Sequence, residues 1–275
     1  FCDRKQETDA LIRNITNGVN TTLLSLRRMG KTGLLFHVME TLIRQKKAQC
    51  IYLDAYTTQD LRAFTNALAS AALKAFPEKK PFGKVLLEWI KAMRPVISFD
   101  PVTGSPEIEL DFKQPEQFEH TLSGLFTMLE KQDKRVVVII DEFQQISNFP
   151  EKNMEARLRS LIQHLKQTRF IFCGSDQHLL SDMFNNVKRP FFASTQTIRL
   201  ILFSDPIYAA FIESKFQKAK RKIDSGAIDF LLKFTRTHTF YTQSLCNRLY
   251  ADGIKHIKQE TVAITALRLL SEQEP

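Results

Sequence analysis

The sequence predicts an α/β fold, a mainly parallel sheet flanked by helices and followed by a small α-helical subdomain. Three observations carry this. Short apolar runs without polar alternation, the mark of strands buried on both faces, recur along the first three quarters of the chain. Stretches of helical period separate them, and strand–helix alternation is how parallel sheets are built. After residue 204 the extended runs stop and helical patterns follow one another.

Taken in order, residues 21–25 (TTLLS) are the first strand and residues 31–46 the helix after it. Residues 48–55 (AQCIYLDA) form the second strand and 60–76 the next helix. The segment 94–110 breaks the rhythm: Val96 and Ile97 precede a turn built on DPVTG (100–104), and Ile108 and Leu110 follow it. Asp, Pro and Gly in that arrangement favour a turn, so a β-hairpin is expected as an insertion at about 95–110. A helix over 115–132, a strand at 136–140 (VVVII), a helix over 151–168 and a strand at 170–173 (FIFC) continue the alternation. Residues 197–203 (TIRLILF) are a fifth strand. Asp205 and Pro206 then offer a capping oxygen and a first-turn proline, and 205–222, 224–236, 239–256 and 259–271 read as helices. The expected division is 1–203 for the sheet domain and 204–275 for a helical lid subdomain.

At 275 residues the chain is long enough for one large domain or two, and 22 phenylalanines imply a substantial core. Its hydrophobic and charged fractions, 43% and 25%, are those of ordinary globular proteins. No apolar run reaches the roughly 18–20 residues of a membrane-spanning helix, and the polar start shows no signal peptide. Cys2, Cys50, Cys173 and Cys246 lie far apart, without metal-ligand spacing, and fit a reducing cytoplasm. A cytoplasmic protein without membrane contact is expected. The net charge of +9 is spread along the chain: +5 over 1–50, −3 over 51–130, +4 over 131–203 and +3 over 204–275. Only Lys215, Lys218, Lys220, Arg221 and Lys222 cluster. Cations suit the end of a helix, and any direct contact with DNA phosphates would have to come from this group.

The first strand leads into SLRRMGKT, residues 25–32, and then into a helix. This is the phosphate-binding pattern GxxxxGK followed by Ser or Thr, with Ser25 in place of the first glycine. A strand feeding a tight loop and a helix aims backbone N–H groups and the positive helix end at one point. Arg28, Met29, Gly30 and Gly33 line such a loop, Lys31 neutralises the β- and γ-phosphates, and the Thr32 hydroxyl holds Mg²⁺. The strand at 136–140 ends in Asp141 and Glu142. A buried strand delivers acids to the sheet's C-terminal edge, where open α/β sheets bind ligands. Asp141 then joins the Mg²⁺ site and Glu142 polarises the attacking water. Together the two motifs predict a P-loop NTPase using ATP or ADP with Mg²⁺.

With these motifs the chain resembles the archaeal-type P-loop ATPases that also occur in bacteria, a signal-transducing branch related to AAA+. A box Phe-x-x-Arg-x-x-Glu precedes their first strand, and Phe1, Arg4 and Glu7 match it; the resemblance implies that Arg4 and Glu7 lie near the adenine and ribose. SLRRMGKT and the Asp141–Glu142 pair match the Walker A and Walker B motifs. FIFCGS, residues 170–175, resembles the next strand, which implies that Ser175 is a polar sensor near the γ-phosphate. RPFF, residues 189–192, resembles the segment before the fifth strand; Ala193 and Ser194 stand where glycine and arginine are usual, leaving Arg189 as the nearest arginine. THTFY, residues 237–241, resembles a Gly-His-Pro-Tyr segment, with Thr237 and Thr239 replacing glycine and proline; His238 would approach the phosphates from the lid.

The resemblance implies an ATP hydrolase that couples nucleotide to movement of a helical lid and regulation of a protein partner, with self-association a further expectation. Two alternatives stand beside it: a nucleotide-gated interaction module with negligible turnover, and a DNA-associated ATPase. No winged or helix-turn-helix element is recognisable in 204–275.

Overall fold

The computed structural model describes residues 4–272. In chain order they form α1 (Lys5–Thr16), β1 (Thr21–Leu24), α2 (Lys31–Arg44), β2 (Ala48–Asp54), α3 (Leu61–Ala75), α4 (Pro81–Lys91), β3 (Val96–Phe99) and β4 (Pro106–Glu109). There follow α5 (Pro115–Glu130), β5 (Arg135–Asp141), a 3₁₀ turn (Phe143–Asn148), α6 (Met154–Ile162), β6 (Thr168–Gly174), α7 (Gln177–Asn185) and β7 (Gln196–Arg199). The chain ends with α8 (Asp205–Lys218), β8 (Lys222–Ile223), α9 (Ser225–Thr235), α10 (Thr239–Ala251), β9 (His256–Ile257) and α11 (Gln259–Ser271). No helix among them is long and apolar enough to cross a membrane.

The described residues divide into two compact units: Gln6–Leu26 with Leu35–Arg199, and residues 4–5 with Arg27–Leu34 and residues 200–272. The larger unit holds a five-stranded sheet in the order β2-β5-β6-β1-β7, with every pairing parallel. Register aligns the strand ends: Leu24 faces Gly174, and Asp54 faces Asp141. Alternate residues Val136, Val138 and Ile140 share a core with Phe64 and Leu68 of α3 and Leu122, Leu125 and Phe126 of α5. Phe143, Phe172, Phe184 and Phe191 form a buried aromatic group, with Phe143 4.5 Å from Phe172 and 5.4 Å from Phe191 between ring centroids. α3 starts because Asp60 caps it, its carboxylate accepting from the Ala63 amide at 2.7 Å. β3 and β4 pair antiparallel apart from the main sheet, and are tied to α3 by Ser70 Oγ and Asn66 Oδ1, which accept from the Ile108 and Leu110 amides.

The smaller unit packs Tyr208, Ile212 and Phe216 of α8 against Ile228, Leu231 and Leu232 of α9, with Leu245 and Leu249 of α10 and Val262 of α11.

Four expectations are corrected. The fifth strand stops at Arg199 instead of running to 203, because Ile201 and Phe203 engage Arg4: its Nη1 donates to the Ile201 carbonyl at 2.8 Å, and its guanidinium lies 3.9 Å from the Phe203 ring centroid. The helix expected over 151–168 spans only Met154–Ile162; the Glu130 carboxylate takes the Lys166, Gln167 and Thr168 amides and so starts β6. Burial works against ionising Glu130, yet those amides hold its carboxyl below the usual range. Ser204, not Asp205, is the N-cap of α8, and Asp205 stands in the first turn. The outer helices of 205–222 and 239–256 end early, at Lys218 and Ala251, because Lys222–Ile223 pairs in parallel with His256–Ile257.

Candidate active site

The C-terminal edge of the sheet gathers the chemistry of the larger unit. β5 is buried along Val136–Asp141 and carries Asp141 to that edge. Asp141 is 4% exposed. Its Oδ1 accepts from the Glu142 amide at 2.9 Å, and its Oδ2 accepts from the Tyr52 hydroxyl at 3.1 Å. Tyr52 reaches it diagonally: β2 and β5 pair with Tyr52 opposite Ile139, so Asp141 is two residues on and on the same face. Burial first, then the Asp141 charge, push the Tyr52 phenol well above its ordinary range, so it stays a hydrogen-bond donor. Sequence reading missed Tyr52; the signal was an aromatic hydroxyl two residues before the end of the strand beside β5. Asp54 serves its own strand end, accepting from the Tyr56 amide at 2.9 Å.

Glu142 follows in the left-handed region, φ 52°. The turn carries its side chain to the end of β6, where Oε2 accepts from Ser175 N at 3.0 Å, Ser175 Oγ at 2.9 Å and Gln144 Nε2 at 2.6 Å. Asp141, Glu142 and Ser175, named separately from sequence, are thus linked in one hydrogen-bonded group, and Gln144 is an unforeseen fourth member.

β1 delivers the chain to the same edge, where its last residue, Leu24, pairs with Gly174. Ser25 is buried, with Oγ donating to the Leu26 carbonyl at 2.9 Å. Within the smaller unit, Arg28 (φ 62°) and Gly30 (φ 85°) turn the loop through two left-handed residues, and the Leu34 amide donates to the Gly30 carbonyl as α2 begins. Met29 and Lys31 are buried, whereas Thr32 and Gly33 are exposed. The Arg28 guanidinium stacks 4.2 Å from the Phe240 ring centroid, and a Cβ on Gly30 would meet the Thr239 methyl at 4.0 Å. The first turn of α10 therefore packs on the loop.

His238 is the N-cap of α10, with its ring 4.8 Å from Tyr241; its Nδ1 is buried without a partner among the described residues. Arg236 and Thr237 before it are both left-handed, at φ 50° and 57°. Glycine would suit that position, and Thr237 holds it by donating Oγ1 to Asp205 Oδ1 at 2.7 Å. Arg4 is buried against residues 201–203, Glu7 lies in the first turn of α1, and Phe1 falls outside the described residues.

Arg189, the nearest arginine to the substituted segment, is held by Glu155 at 2.6 Å and Asp182 at 3.6 Å. Arg157 pairs with Glu119 at 3.1 Å. Among the described residues no group of three or more His, Cys, Asp or Glu gathers to hold a metal alone. The buried Asp141 carboxylate is by itself a hard oxygen ligand of the kind that suits Mg²⁺, an ion that commonly takes one or two carboxylates plus phosphates and water.

Solved structures share the fold at low identity. The Walker-type ATPase of Pyrococcus abyssi aligns with a TM-score of 0.67 at 16% identity over 99% of this chain and 73% of that one. The Orc1 protein of Aeropyrum pernix, solved in complex with DNA, gives 0.62 at 12% over 98% and 66%. The Orc2 protein of the same organism, solved as ADPNP–ADP complexes, gives 0.59 at 14% over 96% and 67%. No curated protein sequence matches. A family described as an ATPase domain predominantly from Archaea matches residues 1–225. With that match over most of its length, the chain belongs to this family of P-loop ATPases, nucleoside triphosphatases by activity.

Proposed function

We propose that the chain binds ATP with Mg²⁺ and hydrolyses the β–γ bond, using residues 25–33 to hold phosphate and the Asp141–Glu142 pair for the chemistry. The observation that carries this is the linked group at the sheet edge: a buried Asp141 fixed by two donors, and Glu142 and Ser175 joined at 2.9–3.0 Å.

In this reading the amides of Arg28, Met29, Gly30 and Gly33 and the Lys31 ammonium cradle the phosphates. Thr32 and Asp141 hold Mg²⁺, which supplies neutralising charge on the phosphate oxygens. Glu142 orients the attacking water, and Ser175 keeps its carboxylate near the γ-phosphate. Arg4 and Glu7 serve the base side and His238 the phosphates. Phosphoryl transfer asks chiefly for positioning and charge stabilisation, which these residue types supply. The proposal extends to coupling: residues 204–275 act as a lid whose closure is favoured by nucleotide, and closure regulates a protein partner. The packing of Thr239 and Phe240 of α10 on Gly30 and Arg28 supports the link between lid and loop. Nucleotide shifts that equilibrium only by preferring one arrangement over the other.

Steady-state phosphate release tests the reading. Glu142→Gln should cut turnover by about 10²–10⁴-fold, the usual worth of a positioned general base, while ATP still binds. Wild-type release no higher than that of Glu142→Gln would favour a nucleotide-gated module without turnover.

A further inference from the structure

Three unfavourable features meet beside Glu142. Its backbone is left-handed at φ 52°, a conformation that costs any residue with a Cβ. Gln144 Oε1 is buried with no hydrogen-bond partner among the described residues, and native proteins leave few such atoms. The end of β6 carries no side chain: a Cβ on Gly174 would stand 1.9 Å from that same Oε1 and 2.9 Å from Gln144 Cδ. Stability alone gives no reason to combine them, and strain of this kind gathers where function requires it.

What they share is one contact. Gln144 Nε2 donates to Glu142 Oε2 at 2.6 Å, from the turn, while Ser175 N and Oγ donate to the same oxygen from the end of β6. Turning the amide over would set its oxygen against the carboxylate, so the network itself dictates which atom points where. Donors from two separate elements fix the torsions of a side chain that would otherwise rotate. The amide can lie there only because Gly174 leaves the space open.

We propose that Gln144 is a positioning residue for the Glu142 carboxylate, seated by the missing side chain at Gly174. This rests on the reading of Glu142 as the residue that orients water. Gln144 touches no reacting atom in this account; it acts through Glu142.

Two variants reach the contact by different routes. Gln144→Met keeps the length of the side chain and removes the donor. Gly174→Ala leaves Gln144 intact and displaces its amide; the three nearest neighbours of the added methyl are all Gln144 side-chain atoms, and Gly174 does not need a left-handed backbone. Each should lower kcat by about 10- to 100-fold, the scale of a misplaced catalytic group, with KM for ATP and ADP affinity within about twofold of wild type. The double variant should be no slower than the slower single variant, since both remove one contact. In the nucleotide-free protein the Ser175 amide resonance should move in both single variants, because its acceptor is the carboxylate being released.

Wild-type kcat in either variant, losses that multiply in the double variant, or an unmoved Ser175 resonance would overturn the positioning role. Failure of the Glu142 reading looks different. There Glu142→Gln itself keeps full turnover, while the Ser175 resonance still reports whether Gln144 holds the carboxylate.

Discussion

Replacing Thr237 by glycine and by alanine should reverse the usual order of the two residues. Thr237 is buried and left-handed at φ 57°, directly after a second left-handed residue, Arg236. For a residue with a Cβ this region costs about 1–2 kcal/mol, most noticeably for a β-branched one. The offsetting contact is the 2.7 Å hydrogen bond from its hydroxyl to Asp205. Asp205 is exposed, and solvent screening reduces that bond to the worth of an ordinary neutral one, about 1 kcal/mol. Both substitutions lose the bond and the buried methyl, worth about 0.8 kcal/mol, so Thr237→Ala should cost about 2 kcal/mol. Glycine recovers the left-handed penalty of about 1–2 kcal/mol and gives back about 0.5–1 kcal/mol in chain entropy. Thr237→Gly should therefore be the more stable of the two by about 0.5–1 kcal/mol. Urea unfolding followed by circular dichroism reads the difference as a shift in midpoint at constant m-value. If the alanine variant equals or exceeds the glycine variant, the argument that Thr237 occupies a glycine position is wrong.

Truncating Phe143 to alanine empties the centre of the aromatic group next to Glu142 and should cost about 3–5 kcal/mol, measured in the same way; an unchanged midpoint would mean that the ring cluster does not anchor the turn. Burial pushes the Cys50 and Cys246 thiols from the ordinary 9.0 up to about 12. Folded, both stay protonated where the unfolded chain ionises, so their contribution is complete below pH 9 and is lost as pH rises from about 9 to about 12. Stability should fall across that window, and Cys50→Ala with Cys246→Ala should flatten the slope; an equal slope in the double variant would contradict the assignment. In the folded protein at pH 8, a thiol reagent should leave the buried Cys50 unmodified and react with it once urea is added.

The sheet was legible because β2, β5 and β6 are continuous apolar runs, a pattern that survives without knowing any partner. Asp141, Glu142 and the loop ending in Lys31 and Thr32 could be named because each sits where a strand hands over to a turn or helix. What stayed hidden depends on meetings between distant residues. Arg4 draws 201–203 out of the fifth strand, and Glu130 caps the amides that start β6. Two-residue strands such as β8 and β9 carry no period to read. Tyr52 reaches Asp141 only through the register of β2 on β5. Gln144 looks like any polar residue after an acidic pair, and its place follows from the left-handed turn at Glu142 and the bare Gly174, neither visible in composition or spacing.

The central claim is that residues 25–33 form the phosphate site of an ATPase, and ATP binding measured calorimetrically with Mg²⁺, in the wild type and in Lys31→Ala, tests it most directly. Removing a charge-assisted contact costs about 1.5–3 kcal/mol, so affinity should fall at least tenfold, and phosphate release should fall with it. Equal affinity in the two proteins would contradict the assignment of the loop.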